Sequence, residues 1–203
     1  MQKRDTHHHG NLKSELMALA LQAARAGTIE DMSLRKAARD LGVSPGAIYR
    51  HFADKDALLR AVAQIGFDEL ATAFETIAPF DTPVATAQQA RKRFLGLAEE
   101  YVRFSMTHYG LWRLMFGPHG VGTSTDPIGR PSTYAWLQRA LDELHHTGVL
   151  PAPAGPADQF FAWSAIHGLA DLQASPVIRT APLTESVEKQ VTLILRAIGA
   201  SLP

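Results

Sequence analysis

Long cationic side chains occur at Arg35 and Arg50, on either side of a short glycine-containing segment. A guanidinium group can donate two parallel hydrogen bonds to a phosphate or to the edge of a guanine base. Gly46 and Ala47 precede Arg50 and carry almost no side chain, so they allow a close approach of the backbone to such a partner. The residue types and their spacing therefore predict a surface that binds nucleic acid.

The elements that must position these side chains are two short helices joined by a tight turn. Ser33 can cap a helix over residues 34–41, and Gly42 can end it in the left-handed conformation. Ser44 and Pro45 suit the first positions of a second, very short helix. Two such helices form a helix-turn-helix, whose second helix enters the major groove of DNA. The alternative is an ordinary helical hairpin with a solvated basic face.

Apolar and polar positions divide this segment into an inner and an outer face. The residues expected to pack the two helices together are Ala37, Ala38, Leu41, Val43 and Ile48. The residues left to face outward are Arg35, Arg39, Tyr49, Arg50 and Lys55. Asp54 can cap the next helix, which begins at Lys55. The outer face thus carries the groups that suit phosphates and base edges.

Residues 32–62 resemble the DNA-binding domain of the TetR family of one-component bacterial regulators. The resemblance rests on a Gly-Val-Ser turn at residues 42–44 and on a Tyr-x-x-Phe sequence at residues 49–52. It also rests on Lys55 at the start of the following helix. This resemblance implies a homodimer that binds near-palindromic operator DNA, more often as a repressor than as an activator, and that responds to a small effector.

The same resemblance implies roles for particular residues at the DNA. Tyr49, His51 and Lys55 would hold phosphates, helped by the backbone amides at the start of the following helix. The residues expected at the DNA interface are Ser33, Arg35, Ser44, Pro45, Gly46, Ala47, Tyr49, Arg50, His51 and Lys55. Arg35 and Arg50 are the two expected to read bases.

Composition limits the classes to which the chain can belong. With 203 residues, 46% of them hydrophobic and 20% charged, the chain is globular and long enough for one large domain or two small ones. It contains no cysteine, which excludes disulfides and thiolate metal sites. No signal-peptide core is found, and the longest uncharged apolar stretch, residues 159–170, is too short to span a bilayer. A soluble, cytoplasmic protein with no membrane partner is expected.

Basic residues are concentrated toward the N-terminus, although the net charge of the chain is zero. Residues 1–60 hold ten Lys and Arg against seven Asp and Glu, a net charge of +3, which leaves −3 for the remainder. A mildly basic N-terminal segment followed by an acidic remainder is typical of a DNA-binding protein whose second domain has a different role. Lys3 and Arg4 could extend the basic surface as a flexible arm in a minor groove, or belong to a solvated tail.

Apolar residues recur at steps of three and four through most of the chain, and no segment alternates as a strand does. The prediction is an all-α fold of about nine helices. A helix-turn-helix domain is expected over residues 1–56, and an effector-binding and dimerisation domain over residues 57–203. The longest helix should run from Lys55 to just before Pro79 and link the two, with Gly66 as a place to bend or pack closely. The expected helices cover residues 11–25, 34–41, 45–52, 55–78, 84–108, 111–116, 132–147, 157–174 and 183–200, with a loop over 117–131.

Large aromatic residues in the second domain predict an effector site. Phe160, Trp163 and His167 recur at i, i+3 and i+7 and precede Gly168. This segment resembles a C-terminal domain type within the TetR family that has a late Trp and a His-Gly pair, and the family resemblance implies an aromatic cavity for an effector. The residues expected to bind it are Trp112, Phe116, Trp136, Phe160, Trp163 and His167. A largely apolar or aromatic effector is expected; the alternative is that these rings only pack helices together.

Metal binding and catalysis are weighed against this prediction. Five histidines in the second domain could in principle bind a metal: His108, His119, His145, His146 and His167. They show no His-x3-His or His-Glu-x-x-His spacing, although His167 and Asp171 lie one turn apart. A metal-responsive regulator is therefore only an alternative, and neither a metal site nor a cofactor is predicted. Ser164, His167 and Asp171 on one helix cannot converge as a catalytic triad. Gly-x-Ser-x-Gly is absent, so no enzyme is expected. A helical interaction protein without DNA binding is the remaining alternative.

The last helix carries an apolar stripe that predicts a dimer interface. Its members are Val187, Val191, Ile194, Leu195 and Ile198. Together with the preceding helix, such a stripe can form a four-helix bundle with a two-fold related copy. The alternative is that the stripe packs only within its own subunit.

Overall fold

The computed structural model describes residues 12–118, 132–175 and 182–200. These residues form nine α-helices and one short 3-10 helix, Ile29–Asp31, and no strand. The prediction of an all-α fold with about nine helices is thus confirmed. The α-helices are α1 Leu12–Arg25, α2 Leu34–Asp40, α3 Pro45–Tyr49, α4 Lys55–Ile77, α5 Ala87–Thr107, α6 Tyr109–Phe116, α7 Thr133–His146, α8 Pro156–Ala174 and α9 Leu183–Ala197.

Some helix boundaries differ from the sequence prediction for local reasons. α5 begins at Ala87 because Thr86 forms a capping box with Gln89. In this box the hydroxyl of Thr86 accepts a hydrogen bond from the backbone N–H of Gln89 at 3.2 Å, and the Gln89 side chain accepts one from the N–H of Thr86 at 3.1 Å. Gly110 lies inside α6 rather than between helices. The predictions for Lys3, Arg4 and His119, and most of the predicted 117–131 loop, concern residues outside the described ranges.

The described chain divides into two compact units. The first contains residues 12–66 and 109–118, and the second contains residues 67–108, 132–175 and 182–200. α4 contributes to both units, and α6 belongs to the first although it follows α5 in sequence. The predicted boundary between residues 56 and 57 falls within the first turn of α4 and stays a prediction.

The first unit is built by packing α1 against α6 and α2 against α3. The buried residues of α1 are Leu12, Leu16, Ala20 and Ala24, which follow one another at every fourth position. Gly110 is required where α6 approaches α1, because a Cβ at this position would lie 2.8 Å from the Gly27 nitrogen and closer still to the Ala24 oxygen. A Cβ at Gly66 would lie 2.5 Å from the sulfur of Met115. Both glycines therefore permit close helix packing.

The second unit is arranged around α5, which contacts α7, α8 and α9. Its buried residues include Phe94, Tyr101 and Phe104. α9 packs against α5 and α8 through a buried apolar face. Over the described residues, no helix combines the length and hydropathy needed to cross a membrane.

Candidate DNA-binding surface and effector site

The turn between α2 and α3 has the geometry that its sequence predicts. The hydroxyl of Ser33 accepts a hydrogen bond from the backbone N–H of Lys36 at 3.4 Å and so caps α2. Gly42 has a φ of 69°, the left-handed region in which glycine avoids the strain of a Cβ. The N–H of Val43 then donates to the carbonyl of Ala38 at 2.9 Å, which closes the end of α2. Two short helices are thereby joined at a fixed turn.

The outer face of α2 and α3 exposes the side chains predicted to contact DNA. Arg35, Arg39 and Arg50 are exposed, and Tyr49 retains 46% of its accessible surface. Around Gly46 no atom lies within 4 Å of the position that a Cβ would occupy, so this part of α3 is open to a close partner. The other residues of the predicted interface are also exposed or half-buried: Ser33, Ser44, Pro45, Ala47, His51 and Lys55.

Two residues of this surface have roles that their sequence positions do not reveal. Ser44 occupies the N-cap position of α3, as its sequence predicts, but its side chain makes no capping hydrogen bond. The ammonium group of Lys55 donates a hydrogen bond to the carbonyl of Glu30 in the 3-10 helix. Because an ammonium has three hydrogens, this bond leaves donors for a phosphate while fixing the start of α4. Asp54 caps α4 as predicted, accepting from the N–H of Ala57 at 2.7 Å.

A chain of hydrogen bonds crosses the interior of the second unit. The indole N–H of Trp163 donates to the hydroxyl of Tyr101 at 3.0 Å, and that hydroxyl lies 3.0 Å from Nδ1 of His167. An indole nitrogen can only donate, so the Tyr101 oxygen accepts from Trp163 and also lies within hydrogen-bond distance of His167.

Burial shifts the pKa values of Tyr101 and His167 in the directions that favour their neutral forms. Burial lowers the pKa of His167, although the carboxylate of Asp171 partly opposes the shift. Burial likewise raises the pKa of the Tyr101 phenol, with the hydrogen bond from Trp163 acting in the opposite direction. Both effects follow from the cost of placing a charge away from water. The side chains of Tyr101 and His167 are therefore uncharged at neutral pH.

Further aromatic rings lie on both sides of the hydrogen bonds that join Trp163, Tyr101 and His167. The ring centroids of Trp163 and His167 are 5.6 Å apart, and Phe160 meets Trp163 edge-on at 5.9 Å. In the other direction Tyr101 lies 6.4 Å from Phe74, and Phe74 lies 6.0 Å from Trp136. The structure thus groups four of the six predicted effector residues in the second unit: Trp136, Phe160, Trp163 and His167. Phe160, 61% exposed, is at the surface.

The other two predicted effector residues, Trp112 and Phe116, belong to the first unit. Their ring centroids are 4.5 Å apart, and Trp112 is only 1% exposed. Sequence reasoning missed Tyr101 and Phe74 as members of the aromatic group. Tyr101 appears in the sequence only as one apolar-stripe position of α5, and nothing in its neighbourhood indicates partners 62 and 66 residues away.

The predicted dimer stripe is buried within the single chain. Val187, Val191, Ile194 and Leu195 keep at most 6% of their accessible surface, because α9 packs them against α5 and α8. This burial favours the alternative that the stripe packs within its own subunit; Ile198 is half-buried. Besides Phe160, the large apolar side chains that remain exposed on α8 and α9 are Phe161 at 45%, Leu172 at 46% and Leu193 at 58%.

Across the described ranges, no three His, Cys, Asp or Glu residues come together in a way that could hold a metal ion. The one-turn spacing of His167 and Asp171 therefore has no third ligand among these residues.

Comparison with known proteins covers both units. The model for bacterial regulatory proteins of the tetR family matches residues 16–62, and the model for a tetracyclin repressor-like C-terminal domain matches residues 94–196. Sequence comparison with the curated proteins gives no match.

Solved structures with the same fold include two proteins from Rhodococcus. A Rhodococcus sp. RHA1 protein of unknown function is 29% identical, with a TM-score of 0.69 over 98% of this chain and 100% of its own. A regulatory protein of the tetR family from Rhodococcus RHA1 is 22% identical, with a TM-score of 0.62 over 94% and 98%. RolR in complex with resorcinol is 18% identical, with a TM-score of 0.59 over 95% and 90%.

The fold and its exposed helix-turn-helix define a DNA-binding regulator. The C-terminal match alone spans just over half of the 203 residues, and the N-terminal match covers the helix-turn-helix. The chain belongs to the TetR family of transcriptional regulators.

Proposed function

We propose that the protein is a homodimeric repressor that binds near-palindromic operator DNA and is released by a small aromatic effector. The observation that carries this proposal is the exposed basic face of α2 and α3, where Arg35, Arg39 and Arg50 surround an open α3. A single short helix-turn-helix contacts few phosphates, so specific affinity requires two of them at sites about one helical turn or a multiple apart.

The roles of the arginines can be tested on DNA selected by the protein itself. A duplex enriched from a random-sequence library serves as the probe. Arg35→Gln or Arg50→Gln should weaken binding by about 1–3 kcal/mol and relax the preference at one base position. Tyr49→Phe should weaken binding to all sequences alike, because its expected partner is a phosphate.

Lys92→Gln is the matched control, since Lys92 is an exposed cation on α5 in the second unit. Its affinity and base preference should equal those of the unmodified protein. If both arginine variants keep the full base preference, the assignment of base contacts is wrong. If the unmodified protein enriches no duplex, DNA binding itself is refuted.

The dimer is proposed to form through the exposed faces of α8 and α9. On α8 the exposed residues Phe161, Ser164, Gly168 and Leu172 follow one another at steps of three and four, so they share one side of the helix. The small residues between Phe161 and Leu172 allow a second helix to come close. Leu193 is the large exposed apolar residue of α9. Hydrophobic burial of these groups would stabilise association.

Sedimentation distinguishes this face from the buried stripe. Phe161→Asp combined with Leu193→Asp should give folded monomers at micromolar concentration, with an unchanged helical content. Met106→Asp is the control, because Met106 is an exposed apolar residue of similar size but belongs to α5 rather than to α8 or α9. Ile194→Asp should instead unfold the subunit, because it buries an uncompensated charge. An unmodified protein that sediments as a monomer would exclude the homodimer.

The effector is proposed to bind among Trp136, Trp163 and His167. Support comes from the aromatic group of the second unit and its uncharged hydrogen-bond chain, which suit a ring that carries a polar substituent. The likeness to RolR, which was solved with resorcinol, suggests substituted phenols as first probes. Binding should raise the melting temperature of the protein.

Regulation requires linkage between the effector and the DNA. An effector that releases the operator must bind less tightly to the DNA-bound protein, by the same factor by which it weakens DNA binding. A phenol that raises the melting temperature is therefore titrated with and without saturating selected duplex. Equal affinities in the two titrations would exclude release by that compound.

A further inference from the structure

Lys13, in the first turn of α1, is brought to the end of α3 by the fold of the first unit. Its ammonium group lies over the ring of Phe52, 5.9 Å from the ring centre, and its side chain is exposed. Phe52 is 6% exposed, and its backbone N–H donates to the carbonyl of Ile48 in α3 at 3.1 Å. A residue of a different helix therefore places a positive charge beside the segment that carries Arg50 and His51.

The stability of the first unit does not account for a cation at this position. Lys13 is the second residue of α1, and cations in the first turn of a helix oppose the partial positive charge of its amino end. The contact with Phe52 is a small gain, because its distance is close to the outer limit of about 6 Å for a cation–π interaction and the site is exposed. Among the residues that the structure describes, none accepts a hydrogen bond from this ammonium. An external anion would account for the charge.

A cation–π contact leaves the hydrogen-bond donors of an ammonium group available to such an anion. The face of the ring attracts the charge as a whole, and the ammonium of Lys13 has three hydrogens that can point elsewhere. The ring of Phe52 also restricts the flexible stem of the lysine, which reduces the entropy lost when a ligand is bound. Lysine binds a phosphate as a point charge, so this contact adds affinity without adding base preference.

We infer that Lys13 is an additional phosphate-binding residue of the DNA-binding surface, with Phe52 as its positioning residue. The inference rests on the DNA-binding function proposed above. It extends the surface to α1, beyond residues 33–55, the segment in which the sequence alone predicts the contacts with DNA. Arg35 and Arg50 keep their proposed roles at the bases, whereas Lys13 acts on the backbone of the duplex.

The test measures how the affinity for the selected duplex depends on salt concentration. Each phosphate contact contributes about 0.9 to the steepness of the plot of log affinity against log salt concentration. Lys13→Gln should reduce this steepness by about 0.9 for each helix-turn-helix bound to the duplex, and affinity at about 0.1 M salt should fall about tenfold. The base preference should not change. Lys13→Arg keeps the charge and the contact with the ring, and should restore the original salt dependence.

Arg25→Gln is the matched control, because it removes the same charge from the other end of the same helix. Arg25 is exposed and, at about 1.5 Å per residue, lies about 18 Å along α1 from Lys13. This distance exceeds the screening length of about 10 Å at 0.1 M salt. The salt dependence of this variant should equal that of the unmodified protein. An equal reduction in the two variants would overturn the inference, since net charge and not the placement of Lys13 would then set the affinity.

Phe52→Leu tests the positioning role of the ring. Leucine keeps an apolar side chain at this position but has no ring face that attracts an ammonium. The affinity should fall about threefold when Lys13 is present, and should change little in the Lys13→Gln background, where no ammonium remains to be positioned. Equal losses in the two backgrounds would refute this role, because they would reflect only the packing of Phe52 against α3.

The outcomes separate this inference from the proposed function. An unmodified protein that enriches no duplex would refute both DNA binding and the phosphate contact. A protein that enriches a duplex, but whose salt dependence is the same with Lys13→Gln, would refute only the contact made by Lys13.

Discussion

The two units of the molecule use their polar side chains in opposite ways. In the first unit the arginines of α2 and α3 are exposed, and the cap of α2 joins residues three positions apart. In the second unit Arg93 and Glu143 are largely buried and lie 50 positions apart, and Tyr101 and His167 are 66 positions apart. A surface that reads DNA can therefore be specified by a short segment, whereas an interior network requires the folded chain.

The difference predicts how substitutions in each unit will act. Replacing an exposed arginine should change DNA affinity with little effect on stability, because surface side chains contribute little to folding. Replacing a buried polar residue should lower stability, since its former partners lose a hydrogen bond away from water. The following predictions test the comparison, beginning with the largest expected effect.

Gly110→Ala would show that the first unit also depends on a distant segment. The added methyl group would collide with backbone atoms of Ala24 and Gly27, which cannot move as a side chain can. We expect a loss of about 3 kcal/mol in the free energy of unfolding, at the upper end of the range for overpacking. Gly46→Ala, which meets nothing within 4 Å, is the control in a denaturant titration. Equal stability of the two variants would mean that α6 is not packed closely on α1.

Tyr101→Phe tests the interior hydrogen-bond chain of the second unit. The change removes the hydroxyl that accepts from Trp163 and forms a hydrogen bond with His167, and it leaves the ring in place. The expected cost is about 2 kcal/mol, because both lost bonds are shielded from water. Tyr49→Phe in the first unit should cost much less, since Tyr49 is 46% exposed. Similar losses for the two tyrosines would contradict the proposed contrast between the units.

Ser33→Ala and Ser44→Ala compare two serines at equivalent helix positions within the first unit. Ser33 accepts a hydrogen bond from the N–H of Lys36, whereas Ser44 makes no side-chain cap. The first substitution should cost about 1 kcal/mol of stability, and the second should be nearly neutral. Both can be measured by thermal unfolding. A larger loss at Ser44 would show that its hydroxyl caps α3 in solution.

The pH dependence of stability should carry a small contribution from His167. Burial lowers the pKa of this residue in the folded state below its ordinary value of 6.5. Between the two pKa values the unfolded chain binds more protons, so acidification favours unfolding. The melting temperature should therefore fall more between about pH 7.5 and about pH 5.5 for the unmodified protein than for His167→Gln. His146→Gln, at an exposed position on α7, is the control and should give the same curve as the unmodified protein. Parallel curves for His167→Gln and the unmodified protein would exclude this role.

The fold could be predicted well from the sequence because its signals are local. The apolar spacing and the caps at Ser33 and Asp54 located the helices to within a few residues. The start of α5 was predicted at residue 84 because apolar residues precede Thr86, whereas the capping box of Thr86 and Gln89 begins the helix at Ala87. The placement of Gly110 inside α6 depends on contacts with α1 and could not be inferred from its neighbours in sequence.

The sequence by itself determined the helix-turn-helix, since the turn at Gly42 and the exposed arginines depend on residues within about one or two helical turns of each other. Only the tertiary structure decided which side of α9 is buried within the chain and which side stays exposed. An apolar stripe has the same spacing whether it packs within the chain or against a copy, and here α5 and α8 cover it. The structure likewise decided that Tyr101 joins Trp163 to His167 and that Arg93, Trp136 and Arg139 hold the end of α4. These contacts join residues between 11 and 66 positions apart, and a periodic pattern of apolar residues does not encode such pairings.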